Sequence, residues 1–159
     1  PEKDDTKDKE EGVKVDAHRT YSVLLGSEDR LYWYLHSDAE KDGGTPVFAK
    51  WKKTSYGADG IRKFLLEKNE IAIKEITELK TKVKKGELVM PDDTLAVRIK
   101  EIKKKHVKKS PTILIKAVED AKYRNLVDII DEMAICNIGS YAVIDPSPED
   151  LEYLKTAPK

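Results

Sequence analysis

Two stretches decide the fold: Thr112-Ile113-Leu114-Ile115-Lys116-Ala117, and Tyr123-Arg124-Asn125-Leu126-Val127-Asp128-Ile129-Ile130-Asp131-Glu132-Met133. The first is a β-branched run behind Pro111, which reads as a buried strand that cannot start earlier because proline has no N–H for a ladder. In the second, Tyr123, Leu126, Val127, Ile130 and Met133 fall on one helical stripe, with Asp128, Asp131 and Glu132 leaning outward. Gly139 is expected to stop the helix in a left-handed conformation, and Tyr141-Ala142-Val143-Ile144 returns as a strand. A strand, a helix and a returning strand of this length make a βαβ-like unit whose helix covers one sheet face.

Upstream, Tyr21-Ser22-Val23-Leu24-Leu25 and Leu31-Tyr32-Trp33-Tyr34-Leu35 flank the turn-rich Gly26-Ser27-Glu28-Asp29-Arg30, a joint of hairpin length. Leu31, Trp33 and Leu35 share one strand face, and Tyr32 and Tyr34 share the other. After the loop Asp42-Gly43-Gly44-Thr45-Pro46, the run Lys50-Trp51-Lys52-Lys53 leads into a helix with Ser55 as N-cap and Ile61, Phe64 and Leu65 on its covered side. Ala72, Ile76, Leu79 and Val83 continue that helix along a narrow apolar seam up to Gly86. Pro91-Asp92-Asp93 opens another, with Leu95, Ile99 and Ile102 as its inner stripe. Beyond the last strand, Ser147 caps a short terminal helix whose Leu151 and Leu154 fold back on the core. The expected architecture is α+β and two-layer: a small mixed β-sheet with helices packed on one face.

The 159 residues suit a single domain, and 30 basic against 30 acidic side chains leave no net field to gather nucleic acid. The reading divides the chain into a flexible linker over 1–15 and one domain over 16–159, with an enlarged helical region at about 56–106. The linker is Asp, Glu and Lys with almost nothing apolar, so burial cannot offset the entropy of ordering it. No stretch approaches the roughly 20 apolar residues that cross a bilayer. A lone cysteine, Cys136, excludes an intrachain disulfide, and its place among Ile135 and Ile138 favours a buried, inert thiol.

Signs of catalysis are weak. His18, His36 and His106 are far apart, with no second ligand at helical or hairpin spacing, so no metal is expected. No Gly-x-Ser-x-Gly elbow occurs. Gly57-Ala58-Asp59-Gly60 lacks the Gly-Lys-Ser/Thr ending of a phosphate loop and reads as the approach to a helix. Asp128 and Glu132 share a helix face, the spacing of an acid and base pair but also of any solvated face. Lys100, Lys103, Lys104, Lys105, Lys108 and Lys109 concentrate positive charge without the interleaved aromatics that stack bases. They are a solvated helix end or a phosphate-binding patch.

The run Tyr123-x-Asn125-x-Val127-Asp128 with Asp131-Glu132-Met133-x-Ile135-Cys136-Asn137-Ile138-Gly139-x-Tyr141-Ala142 resembles the C-terminal half of the periplasmic domain in the ExbD/TolR biopolymer-transport family, and within it the ExbD-like proteins of Bacteroidetes. The hairpin at 20–36 is similar to the first two strands of that domain; the middle of the chain is not. Val118 stands where the family usually has an acid after the alanine, so Glu119 or Asp120 would have to take its role.

This resemblance implies no enzyme and no cofactor. It implies a module of a proton-driven inner-membrane motor that works with an ExbB-like channel protein and a TonB-like transducer peptide to energise transport across the outer membrane. A membrane helix with a proton-coupling aspartate is then expected ahead of Pro1, with the soluble domain in the periplasm. In that family, exposed sheet edges serve homodimer formation and hold an extended partner segment through main-chain hydrogen bonds. Candidate edge residues are Val13, Val15, Tyr141, Val143 and Asp145. Two other readings stay open: a TolR-like or MotB-like module that grips peptidoglycan, and a basic-helix nucleic-acid binder.

Overall fold

The computed structural model describes residues 17–41 and 51–157. In chain order the elements are β1 (Thr20–Leu25), β2 (Leu31–Leu35), α1 (His36–Lys41), β3 (Lys52–Thr54), α2 (Ile61–Lys68), α3 (Glu70–Lys84), α4 (Asp92–Lys105), β4 (Thr112–Ala117), α5 (Tyr123–Ile135), β5 (Ser140–Ile144) and α6 (Pro148–Thr156). They form one five-stranded sheet in the order β3-β2-β1-β4-β5. β2 runs antiparallel to both β1 and β3, whereas β4 runs parallel to β1 and β5, so the sheet is mixed and the fold is α+β as the sequence predicts.

Alternation along the strands divides the side chains between two faces. Tyr21, Val23 and Leu25 of β1, Leu31 of β2, and Ile113 and Ile115 of β4 enter one core with Ile61 and Leu65 of α2, Ile129 and Met133 of α5, and Cys136. Their neighbours Leu24, Tyr32 and Tyr34 enter a second cluster on the opposite face, with Trp51, Tyr153 and Leu154. There the Trp51 and Tyr153 rings stack at 5.4 Å. The main helical layer therefore covers one face, and the terminal helix α6 covers part of the other. Leu154 does fold back, but Leu151 stays 45% exposed.

The hairpin turn places Glu28 and Asp29 at φ of 59° and 60°, and Arg30 N–H donates to the Ser27 carbonyl at 3.2 Å. Two consecutive positive φ values match the right-handed twist of the strands the turn joins. Helix α6 begins as expected: the Ser147 hydroxyl accepts from Asp150 N–H at 3.2 Å, and Asp150 returns the bond to Ser147 N–H at 2.8 Å.

Several expectations fail for physical reasons. Lys52–Thr54 is a strand, not the approach to a helix, and Ser55 is no N-cap; its carbonyl accepts from Ile61 N–H at 2.8 Å. The helix starts after Gly60, where a Cβ would overlap both the carbonyl oxygen and the hydroxyl of Ser55. The helix does not continue to Gly86 unbroken. Asn69 separates α2 from α3, with its side-chain amide donating to the carbonyls of Cys136 and Asn137, each at 2.9 Å. The left-handed stop after α5 is Asn137 at φ 52°, not Gly139. Ile138 N–H reaches back to the Met133 carbonyl and Asn137 N–H to that of Ala134, which satisfies the helix's last carbonyls.

The buried stripe of α5 is rotated from the expected one. Asn125, Ile129, Glu132 and Met133 are buried, while Tyr123 is 81% exposed and Val127 38%. Asn125 takes the inward place at the helix start because its side chain is fully used. It accepts from Lys122 N–H at 3.2 Å and donates to Asp29 at 2.8 Å. Glu132 turns inward to meet Arg62 of α2, whose Nε and Nη2 donate to its two carboxylate oxygens at 2.9 and 2.7 Å. Of the acids expected to lean outward, Asp128 and Asp131 do so.

Candidate docking edge

The described sheet has two outer strands, and their chemistry differs. β3 is three residues long and carries Lys52 and Lys53; short, charged edges are poor templates for a further strand. Lys52 is also held over the Trp33 ring, 5.1 Å from its centroid. β5 is five residues long and carries no charge: Ser140-Tyr141-Ala142-Val143-Ile144. One side of it pairs with β4 from Ser140 to Ile144, and among the described residues no strand pairs with the other side.

Register fixes what that edge displays. Tyr141 lies opposite Ile113 and Val143 opposite Ile115, so both point to the face on which α5 packs. Ile113 and Ile115 are fully buried there, yet Tyr141 is 44% and Val143 49% exposed, because the helical cover thins out beyond β4. Helix α5 continues the surface. By helical spacing, Tyr123, Leu126, Val127 and Ile130 occupy the flank beyond its buried stripe. Leu126 and Ile130 are half-buried against the core, and Tyr123 and Val127 face solvent. The opposite flank is tied to α2 through Arg62 and Glu132.

The strand is held at both ends. At its start, a Cβ on Gly139 would lie 3.4 Å from Lys103 Cβ, so the chain passes directly against the end of α4. At its end, α6 is pinned back over the sheet by Lys116 of β4, whose Nζ sits 2.8 Å from Asp150 Oδ2. An edge fixed in this way can accept a further strand without first being ordered, which keeps the entropic cost of pairing low.

Of the candidate edge residues read from the sequence, Tyr141 and Val143 lie on this surface. Asp145 is exposed one residue past the strand. Val13 and Val15 fall outside the described residues. The sequence alone does not reveal the α5 flank, since its periodicity puts Tyr123 and Val127 on the same stripe as the core residues. A signal was present only in the stripe's width: five apolar positions from Tyr123 to Met133, with Ile129 beside them, cover more of the helix than one sheet face needs.

Elsewhere most polar groups serve the packing, although the buried Trp51 Nε1, Tyr56 hydroxyl and Asn69 Oδ1 have no hydrogen-bond partner among the described residues. His36 Nε2 lies 2.8 Å from the Ser22 hydroxyl and its ring stacks on Tyr34. Burial, aided by the Lys116 ammonium and opposed by Asp150, brings its pKa down to about 4. Burial and the Glu132 carboxylate, opposed by Arg62, push the Cys136 thiol up to about 11. Burial chiefly, with Asp29 and Asp128 adding, raises the Tyr56 phenol above its ordinary range. His106 and Lys105 both reach Glu75, joining α4 to α3. No cluster of three or more metal-ligating side chains gathers among the described residues, and no helix among them is long and apolar enough to cross a membrane. A cavity of about 410 Å³ lies between α3 and α4, lined by three acids (Glu75, Glu78, Glu101) and three bases (Lys82, Arg98, Lys105) with a few apolar side chains. It presents no isolated general base or nucleophile.

No family model, no curated protein and no solved structure matches this chain.

Proposed function

We propose that this chain is a protein-docking module without chemistry of its own, the periplasmic part of an ExbD-like component of a proton-driven inner-membrane motor. The uncharged β5 edge, with Tyr141 and Val143 left exposed beside the apolar flank of α5, is the observation that carries this reading. An open strand offers unpaired main-chain groups to an extended partner, and alternate side chains choose among partners. A second copy of the chain and a segment of a TonB-like transducer are the occupants of that edge. The sequence from Tyr123 to Ala142, which resembles the ExbD/TolR pattern, contains both the α5 flank and the start of the edge. An ExbB-like channel protein is the membrane partner in this reading.

The test is co-purification of the full-length protein with its ExbB-like partner from membranes. Recovery of a stoichiometric complex supports the proposal. A membrane-free protein with enzymatic turnover overturns it, and retention on purified peptidoglycan without any transducer binding reassigns the edge to envelope anchoring.

A further inference from the structure

The α3–α4 hairpin is charged on both its broad sides, but not alike. Along α3, Ala72, Ile76, Leu79 and Val83 form the covered seam, and along α4 Leu95, Ile99 and Ile102 do so. On one flank of these seams lie Glu75, Glu78 and Lys82, facing Arg98, Glu101 and Lys105 across the cavity already described, so acids and bases balance there. On the other flank helical spacing places Lys80 and Lys84 of α3 and Lys100 and Lys103 of α4. Glu70, Asp92 and Asp93, all in the first turns of their helices, also approach this side, but no carboxylate pairs with the four lysines among the described residues.

The lysines act on one another. Partial burial of Lys103, and then the charges of Lys80 and Lys100, lower its pKa. An uncompensated cluster of cations is destabilising until an anion neutralises it. Lys103 touches Gly139, the residue before β5, so the basic flank runs directly into the start of the open edge.

We infer that the basic flank of Lys80, Lys84, Lys100 and Lys103 receives an acidic peptide segment, continuous with the strand that pairs with β5 near Ser140. This rests on β5 being the docking edge. The edge supplies main-chain bonding and little sequence preference, and the lysines supply charge selection and faster encounter. An acidic peptide fits better than a nucleic acid, since among the described residues α3 and α4 place no aromatic ring on this flank to stack a base.

The test is an NMR titration of the chain with hexaglutamate and, separately, hexalysine, alongside sedimentation with vesicles of anionic phospholipid. Hexaglutamate is expected to shift the amides of Lys80, Lys100, Lys103 and Gly139. Its affinity should fall about tenfold in the doubly substituted variant Lys80→Glu, Lys100→Glu, and fall similarly when salt is raised. Both positions are exposed, so the variant should keep its fold, which unchanged amide shifts across β1 and β4 will verify. Equal shifts with hexalysine, no shift with either peptide, or binding to the vesicles alone each overturns the inference. Pairing at β5 is read separately, by amide protection in Tyr141–Ile144, so either idea can fail while the other stands.

Discussion

Asp150, in the first turn of α6, and Lys116, in the middle of the sheet on β4, form an ion pair at 2.8 Å with side-chain exposures of 2% and 10%. Lys116 lies in register with Ile144, the last residue of β5, so the pair fastens the segment that follows the edge strand back onto the strand beside it. Removing one partner leaves an uncompensated buried charge. Lys116→Met alone should cost about 3–5 kcal/mol, and Asp150→Leu somewhat more because it also leaves Ser147 N–H without its capping partner, whereas the double variant should lie within about 2 kcal/mol of the parent. Urea denaturation of the four proteins checks this, and additive losses would show that the two side chains act independently.

His36 makes stability depend on pH in a defined window. Its folded pKa of about 4 lies below the ordinary value of 6.5, mainly through burial and then through Lys116, with Asp150 opposing. The unfolded chain therefore binds the proton more readily, and stability is complete above about pH 6.5 and drains away as pH falls toward 4. The loss should be on the order of 2 kcal/mol, allowing for partial solvent access to the ring. Melting temperatures at closely spaced pH values will show it. In His36→Gln the slope between pH 6.5 and 5 should flatten, and an unchanged slope would place the proton elsewhere.

Cys136 should be inert in the folded protein. Burial first, then Glu132, raises the thiol to about 11 against the opposing effect of Arg62, and the side chain is fully buried. At pH 7 the thiolate fraction is then about one in ten thousand, and access requires opening of the core. Labelling by a soluble disulfide reagent should run at the rate of unfolding. Modification as fast as that of a free thiol in native buffer would contradict the packing of α5 against α2.

Much of the fold was legible because its determinants are local. Alternation fixed the faces of β2, where Leu31 and Trp33 enter one core and Tyr32 and Tyr34 the other. Ser147, Pro148 and Asp150 announced α6 through capping chemistry alone. What stayed hidden depends on distant partners. Glu132 looks like a solvated acid until Arg62, far along the chain, is brought to it. Tyr123 looks like a core aromatic until Asn125 fills the inward place by bonding Asp29. β3 was too short and too charged to show alternation, and Asn69 divides two helices only because the carbonyls of Cys136 and Asn137 wait for its amide. For the proposed docking surface, Tyr141 and Val143 could be named from strand periodicity. The α5 flank could not, since which apolar residues are left over depends on how much of the stripe the sheet consumes.

Amide hydrogen exchange across β5, read residue by residue with and without a segment of a TonB-like transducer, asks directly whether this edge pairs with another strand. Protection at Tyr141–Ile144 is expected to rise at least tenfold on addition of the segment or on raising the chain's own concentration, with β3 unaffected, and Val143→Lys to abolish the rise while the melting temperature holds. Unchanged exchange along β5 while the segment binds elsewhere, or protection gained at Lys52–Thr54 instead, would contradict it.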